Sequence, residues 1–205
     1  MKKDGLGTVY TLGSAQAARA FYDDWAEGYE EELAENGYVT PLRCATALAE
    51  HATDPSAPIL EIGCGTGLGG LALRAAGFET IDGFDLSPEM LKRAGEKDIY
   101  RDLGLVDLSE PLEQLHPGTY ANAAAIGVFN PSFMAPTVID EVLAKLPQGG
   151  CFVFSLNDHA TADGSFETRI LELTEYNVAD LVFKEYGEHL PEQHLRSTVY
   201  VLKKR

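Results

Sequence analysis

Cysteine is scarce in this chain: Cys44, Cys64 and Cys151 are odd in number and widely spaced. That excludes a disulfide framework and suits a reducing compartment. Long apolar runs are missing, so no stretch can cross a bilayer as a helix. The opening Met-Lys-Lys-Asp-Gly-Leu-Gly has no apolar signal core, and a cytoplasmic setting is the expectation. Basic residues are few: 16 Lys and Arg stand against 32 Asp and Glu, a formal net charge of −16. Binding a phosphate backbone needs basic patches. The basic clusters here are Lys2-Lys3 and Lys203-Lys204-Arg205, at the two ends, so neither nucleic acid nor membrane is an expected partner. The acidity reads as solubility. Neither H-E-x-x-H nor paired C-x-x-C occurs, so no metal is expected. The absence of G-x-S-x-G and of G-x-x-x-x-G-K-[ST] removes hydrolase and nucleotide triphosphatase readings.

What is present is a chain of 205 residues with an ordinary globular composition, long enough for one domain with a sizeable core. Ala17, Ala20, Phe21, Trp25 and Tyr29 fall near helical spacing and predict a helix over 14–35. A second is expected from Pro41 to about Ala52, followed by a linker over 53–58. From Ile59 the pattern changes. Short apolar runs at 58–62, 79–85, 103–107, 121–128, 149–156, 179–186 and 195–203 alternate with helical stretches near 67–76, 88–97, 133–145 and 164–175. That alternation predicts an α/β fold, a mainly parallel sheet covered on both faces. The connection over 187–193 is too short for a crossover helix, so the last two strands are expected to pair antiparallel. Residues 1–57 read as a helical cap and 58–205 as the sheet core of a single domain.

Residues 59–70, Ile-Leu-Glu-Ile-Gly-Cys-Gly-Thr-Gly-Leu-Gly-Gly, run from an apolar strand into a loop with Gly63, Gly65 and Gly67 at alternate positions. Such a loop lets backbone lie against a ligand. Glu61, two residues before it, suits a ligand carrying an ammonium group better than one carrying a pyrophosphate. Asp85 ends the second strand, where an acid can accept hydrogen bonds from ribose hydroxyls. Asp107 ends the third, placed to take one from an adenine amino group. Three acids at three successive strand ends indicate S-adenosylmethionine (SAM). Gly65, Gly67 and Gly70 also satisfy G-x-G-x-x-G, which leaves a nicotinamide or flavin dinucleotide open; Glu61 opposes it.

Glu61-Ile-Gly-Cys-Gly-Thr-Gly, Asp85-Leu-Ser-Pro-Glu-Met-Leu, Val106-Asp107-Leu108 and Leu146-Pro-Gln-Gly-Gly-Cys-Phe-Val-Phe resemble the successive motifs of class I SAM-dependent methyltransferases. Tyr22-Asp-Asp-Trp-Ala and His189-Leu-Pro resemble the small UbiE-like enzymes of the Williams–Beuren-region type. The resemblance covers about residues 20–203. It implies a Rossmann-like seven-stranded sheet in the order 3-2-1-4-5-7-6, with the last strand antiparallel and helices on both faces. It further implies that Gly63, Cys64 and Gly65 carry the methionine part of SAM, with Glu61 near its amino group. Asp85 would hold the ribose, Leu86 and Met90 would pack on adenine, and Asp107 with Leu108 would address its amino edge. Gly127 would line the same site, and Tyr22, Trp25 and Tyr29 would close over the sulfonium. Asn122 stands where this family often has Asp.

The resemblance implies methyl transfer from SAM, with S-adenosylhomocysteine (SAH) as product. A small-molecule acceptor is expected by elimination, because the acidic surface disfavours DNA or RNA and no added module for docking a protein is read. A non-catalytic SAM-binding protein and a nucleotide-dependent oxidoreductase are the alternatives. On the acceptor side, Asn130-Pro131-Ser132-Phe133 resembles the Asn-Pro-Pro-Tyr/Phe motif of amino-methylating enzymes, or is a turn before a helix. Asn157-Asp158-His159 follows the fifth strand and offers His159 as a general base oriented by Asp158, or a loop with an Asp cap. Asn130, Phe133 and Asn157 are therefore candidate acceptor-binding residues. A monomer is the default expectation for a chain of this size, with a homodimer as the alternative.

Overall fold

A computed structural model describes residues 5–9, 11–52 and 54–205; residues 1–4, 10 and 53, the last in the expected linker, lie outside the described residues. The helices α1 (Gly5–Val9), α2 (Ala15–Trp25), α3 (Tyr29–Glu35) and α4 (Thr40–His51) precede the sheet. Ser14 caps α2, its hydroxyl accepting the Ala17 N–H at 3.2 Å. The helix expected over 14–35 is two helices, broken at 26–28. Gly28 precedes α3, whose first turn carries Glu30, Glu31 and Glu32, the favourable sign for a helix N-terminus. The unexpected α1 is held from outside: the Leu6 N–H donates to Glu32 Oε1 at 3.0 Å.

The strands are β1 (Ile59–Ile62), β2 (Ile81–Asp85), β3 (Asp102–Leu105), β4 (Asn122–Ala125), β5 (Cys151–Asn157), β6 (Ala179–Leu190) and β7 (Leu195–Lys204). They form one sheet in the order β3-β2-β1-β4-β5-β7-β6. The first five are parallel; β7 runs antiparallel to both β5 and β6. Helices α5 (Leu68–Ala75), α6 (Pro88–Gly95), α7 (Val138–Lys145) and α8 (Ser165–Glu175) make the connections. Every residue of β1 and β4 is buried, Glu61 and Asn122 included, as expected of parallel strands covered on both faces. Successive side chains divide between the faces: Leu60, Ala123 and Phe152 pack with α7 and α8. Ile59, Ala124 and Val153 pack with Leu48 of α4 and Leu73 of α5.

Element ends differ from expectation for local reasons. β3 stops at Leu105 instead of 107. β4 stops at Ala125 instead of 128, ahead of Gly127 in the left-handed region at φ +70°. The helix expected from 133 starts at Val138, because Pro136 has no N–H and disfavours helical backbone before it. β6 runs on to Leu190, so the polar segment 187–190 is strand and the turn shrinks to a 3-10 turn at Pro191–Gln193. Among the described residues no helix is long and apolar enough to cross a membrane.

The parallel strands end at one edge of the sheet. The order reverses between β1 and β4, which places the β1 loop, Asp85, the segment 106–108 and the segment 126–130 together there.

Candidate functional site

The β1 loop shows what its glycines are for. Gly63 sits at φ +66°, and a Cβ there would lie 2.4 Å from a methyl of Val128. A Cβ on Gly70 would strike the Tyr100 hydroxyl at 2.3 Å, and one on Gly83 would strike the same ring. Gly69 is needed for the Glu61 carboxylate, whose Oε1 a Cβ would meet. Gly65 differs: nothing lies within 4 Å of its missing Cβ. Of the alternating glycines expected to lie against a ligand, Gly65 presents open backbone, whereas Gly63 and Gly67 make room for other protein groups.

Glu61 is buried, and its Oε2 accepts the Tyr100 hydroxyl at 2.7 Å. Burial pushes its carboxyl up to about 8; the Tyr100 bond works against that shift and the Asp85 charge adds to it. Asp85 is also buried, and burial raises its carboxyl. Its Oδ2 accepts the Gly65 N–H at 2.8 Å and its Oδ1 the Ser87 N–H at 2.9 Å. One carboxylate thereby ties the β1 loop to the start of α6. Ser87 caps α6 by accepting the Met90 N–H at 3.1 Å and donates its own proton to Asp23 of α2. Asp107, half-buried, folds back on Ser109 through Oδ1, which accepts both its N–H (2.8 Å) and its hydroxyl (2.6 Å).

These groups surround one cavity. Gly65, Asp85 and Asp107 line it from the strand ends, Leu86, Met90, Val106 and Leu108 give it apolar walls, and Tyr22 and Tyr29 face it from α2 and α3. Gly127 and Phe133 complete the lining. Apolar walls beside carboxylates with spare lone pairs, over an open backbone, offer the chemistry that a nucleoside's hydroxyls and base would need. A second cavity shares Tyr22, Tyr29, Gly127 and Val128 with the first and continues to Asn130, Asn157 and His189 under Leu6 and Val9 of α1.

The model of a methyltransferase domain family matches residues 59–150, which span β1 to the turn before β5. Methyltransferase-like protein 27 of Homo sapiens is 33% identical over 131 residues, 63% of this chain and 54% of that protein. The chain thus spans about half the length of this curated relative. Over residues 59–150 the chain is similar to a methyltransferase domain. Solved structures share its fold. Magnesium protoporphyrin IX methyltransferase from Synechocystis, with SAH bound, superposes at a TM-score of 0.69 and 14% identity, covering 93% of this chain and 99% of that one. The [4+2]-cyclase SpnF superposes equally well, at 0.69 and 15% identity over 94% and 97%. At such identities the likeness concerns the fold.

The remaining expected residues distribute unevenly around these cavities. Glu61 and Cys64 line a small adjoining space with Tyr29, Gly63 and Gly65. Trp25 lies in the second cavity, not the first, its indole N–H donating to Glu32 Oε2 at 2.7 Å. Asn130 lines the second cavity but its amide is engaged: Oδ1 accepts the Ser132 N–H and Nδ2 donates to the Val9 carbonyl. Phe133 faces the first cavity instead of joining Asn130. Asn122 is buried and accepts the Cys151 N–H at 3.0 Å, a bond an Asp would also make.

The pair Asp158 and His159 is a correction. Both are exposed and neither lines the cavities. Asp158 does not orient His159: its oxygens accept the Tyr186 hydroxyl (3.0 Å) and the Arg196 N–H (3.1 Å), so β6 and β7 hold it outward. The histidine that reaches the second cavity is His189, which sequence reasoning passed over. Its signal was present, since a histidine two residues before Pro191 in the last hairpin belongs to the His189-Leu-Pro resemblance. Among the described residues no group of three His, Cys, Asp or Glu is placed to hold a metal.

Proposed function

We propose that this protein transfers a methyl group from SAM to a small-molecule acceptor and releases SAH. The observation that carries the reading is the joined pair of cavities: one lined by Asp85, Asp107 and open Gly65 backbone, the other by aromatic rings and amides. SAM supplies an electrophilic methyl on a sulfonium whose departure leaves a neutral thioether. Asp85 retains lone pairs for the ribose hydroxyls beyond its bonds to Gly65 and Ser87, and Leu86 and Met90 pack on the base. Tyr22 and Tyr29, on the wall common to both cavities, narrow the passage and exclude water. Positioning and desolvation are the main tasks in such a displacement, so no side-chain base is required unless the acceptor must lose a proton.

A net charge of −16 supports a small acceptor over a nucleic acid, and the three buried free cysteines suit a cytoplasmic setting. The N-terminal helices and the sheet act as one unit, since α2 and α3 contribute walls to the cavity on the strand ends.

The test is calorimetric titration with SAM and SAH, with NADH as control, followed by a screen of acceptors with methyl-labelled SAM. Micromolar binding of SAM and SAH alone, with label transferred, is the expected result. SAM binding without transfer would favour a sensor. Silence from both in a folded sample, with NADH binding, would restore the dinucleotide reading.

A further inference from the structure

His189 is buried at the end of β6, and its ring stands edge-on to Tyr38 at 5.1 Å between centroids. Its Nδ1 lies 2.7 Å from Thr40 Oγ1 at the start of α4, and Thr40 Oγ1 lies 3.3 Å from Ser197 Oγ on β7. Arg43 donates to Ser197 Oγ at 3.0 Å. A guanidinium can only donate, so Ser197 Oγ accepts from Arg43 and its own proton is left for Thr40 Oγ1. Thr40, accepting from Ser197, then gives its proton to His189 Nδ1. The opposite direction would leave the buried Ser197 hydroxyl proton with no acceptor, which is the costly arrangement. Counting protons along Arg43–Ser197–Thr40–His189 therefore fixes the tautomer: Nδ1 is the acceptor and Nε2 carries the hydrogen.

Nε2 has no hydrogen-bond partner among the described residues, and His189 lines the second cavity. Among the described residues no charged side chain lines that cavity. Its walls are Tyr22, Trp25, Tyr38, Val128 and Phe129, and the Asn130 amide there is already engaged. We propose that His189 is a specificity-determining residue that donates Nε2–H to a lone pair on an uncharged, aromatic methyl acceptor held in this second cavity. The inference rests on the methyltransferase reading for the meaning of "acceptor" alone; the donor itself is a property of the ligand-free fold. Burial, with the Arg43 charge adding to it, holds the imidazole down to about 4, so the ring is neutral at pH 7 and a poor base. Donation is the role left to it.

Two measurements test the proposal. A long-range 1H–15N NMR spectrum of uniformly 15N-labelled protein should show His189 as the pure Nε2–H tautomer, and Thr40→Val should release that preference. Acetophenone and its isostere α-methylstyrene, in which CH2 replaces the carbonyl oxygen, are then titrated into protein saturated with SAH. Wild type should bind the ketone about fivefold more tightly, one neutral hydrogen bond, and His189→Phe should abolish the difference. An Nδ1–H tautomer, equal binding of the two probes to wild type, or binding of neither to SAH-loaded protein overturns the proposal. Wild-type protein that does not bind SAH overturns the methyltransferase reading instead, and the tautomer spectrum still decides whether His189 is a donor.

Discussion

Asp85 does two jobs with one carboxylate, and its removal should separate them. Asp85→Ala deletes the acceptor for the Gly65 and Ser87 N–H groups and the proposed partner of the ribose. Loss of charge-assisted hydrogen bonds of this kind should weaken SAH binding by about 10- to 100-fold in calorimetry. An unchanged affinity would remove the ribose role. Glu61 makes a prediction about pH. With its folded-state carboxyl pushed up to about 8 from an ordinary 4.5, the folded protein holds a proton that the unfolded chain has released between those values. The stability this contributes is full below about pH 4.5 and is lost as pH rises towards 8. Glu61→Gln, which keeps the shape but cannot ionise, should flatten the stability of the ligand-free protein across pH 5–8. Denaturant titrations at three pH values would show it, and an unaltered slope would mean that Glu61 ionises normally.

At the scale of elements, the β1 loop is shaped by what packs beneath it as much as by what binds above it. Gly63→Ala introduces a Cβ at φ +66° and 2.4 Å from Val128. The left-handed backbone alone costs about 1–2 kcal/mol, and the clash adds to it. Chemical denaturation should show the loss, and Val128→Ala in the same chain should restore the steric part but not the backbone part. The loop was readable as a glycine turn because alternating glycine is a local pattern. Which glycine presents open backbone was not readable. Tyr100 fills the space over Gly70 and Gly83 from a position 30 and 17 residues away, and no spacing rule announces such a contact. The same holds for α1: Gly5-Leu6-Gly7 argues against helix, and Glu32 of α3 stabilises one by accepting the Leu6 N–H.

For the whole molecule, a net charge of −16 sets the long-range field. Self-repulsion of that size opposes the compact state and is screened by salt. Raising NaCl from about 0.02 to 0.5 M should therefore lift the thermal midpoint, by calorimetric scan, in spite of the ion pairs it weakens. A fall would mean that pairs such as Lys97–Glu30 and Arg43–Glu185 outweigh the repulsion.

The sequence by itself determined the alternation of strands and helices, the site at the carboxyl ends of the strands, and the acids Asp85 and Asp107 that line it. Periodicity, turn residues and strand-end chemistry are local, and local patterns survive in one dimension. The resemblance to the methyltransferase family carried the strand order. Tertiary structure alone decided that Asp158 and His159 face outward and that His189 faces inward. Thr40 and His189 are 149 residues apart, and the order β5-β7-β6 with α4 packed across it is what brings them to 2.7 Å. A hydrogen-bond direction that runs through four side chains from three elements exists only once those elements are in place.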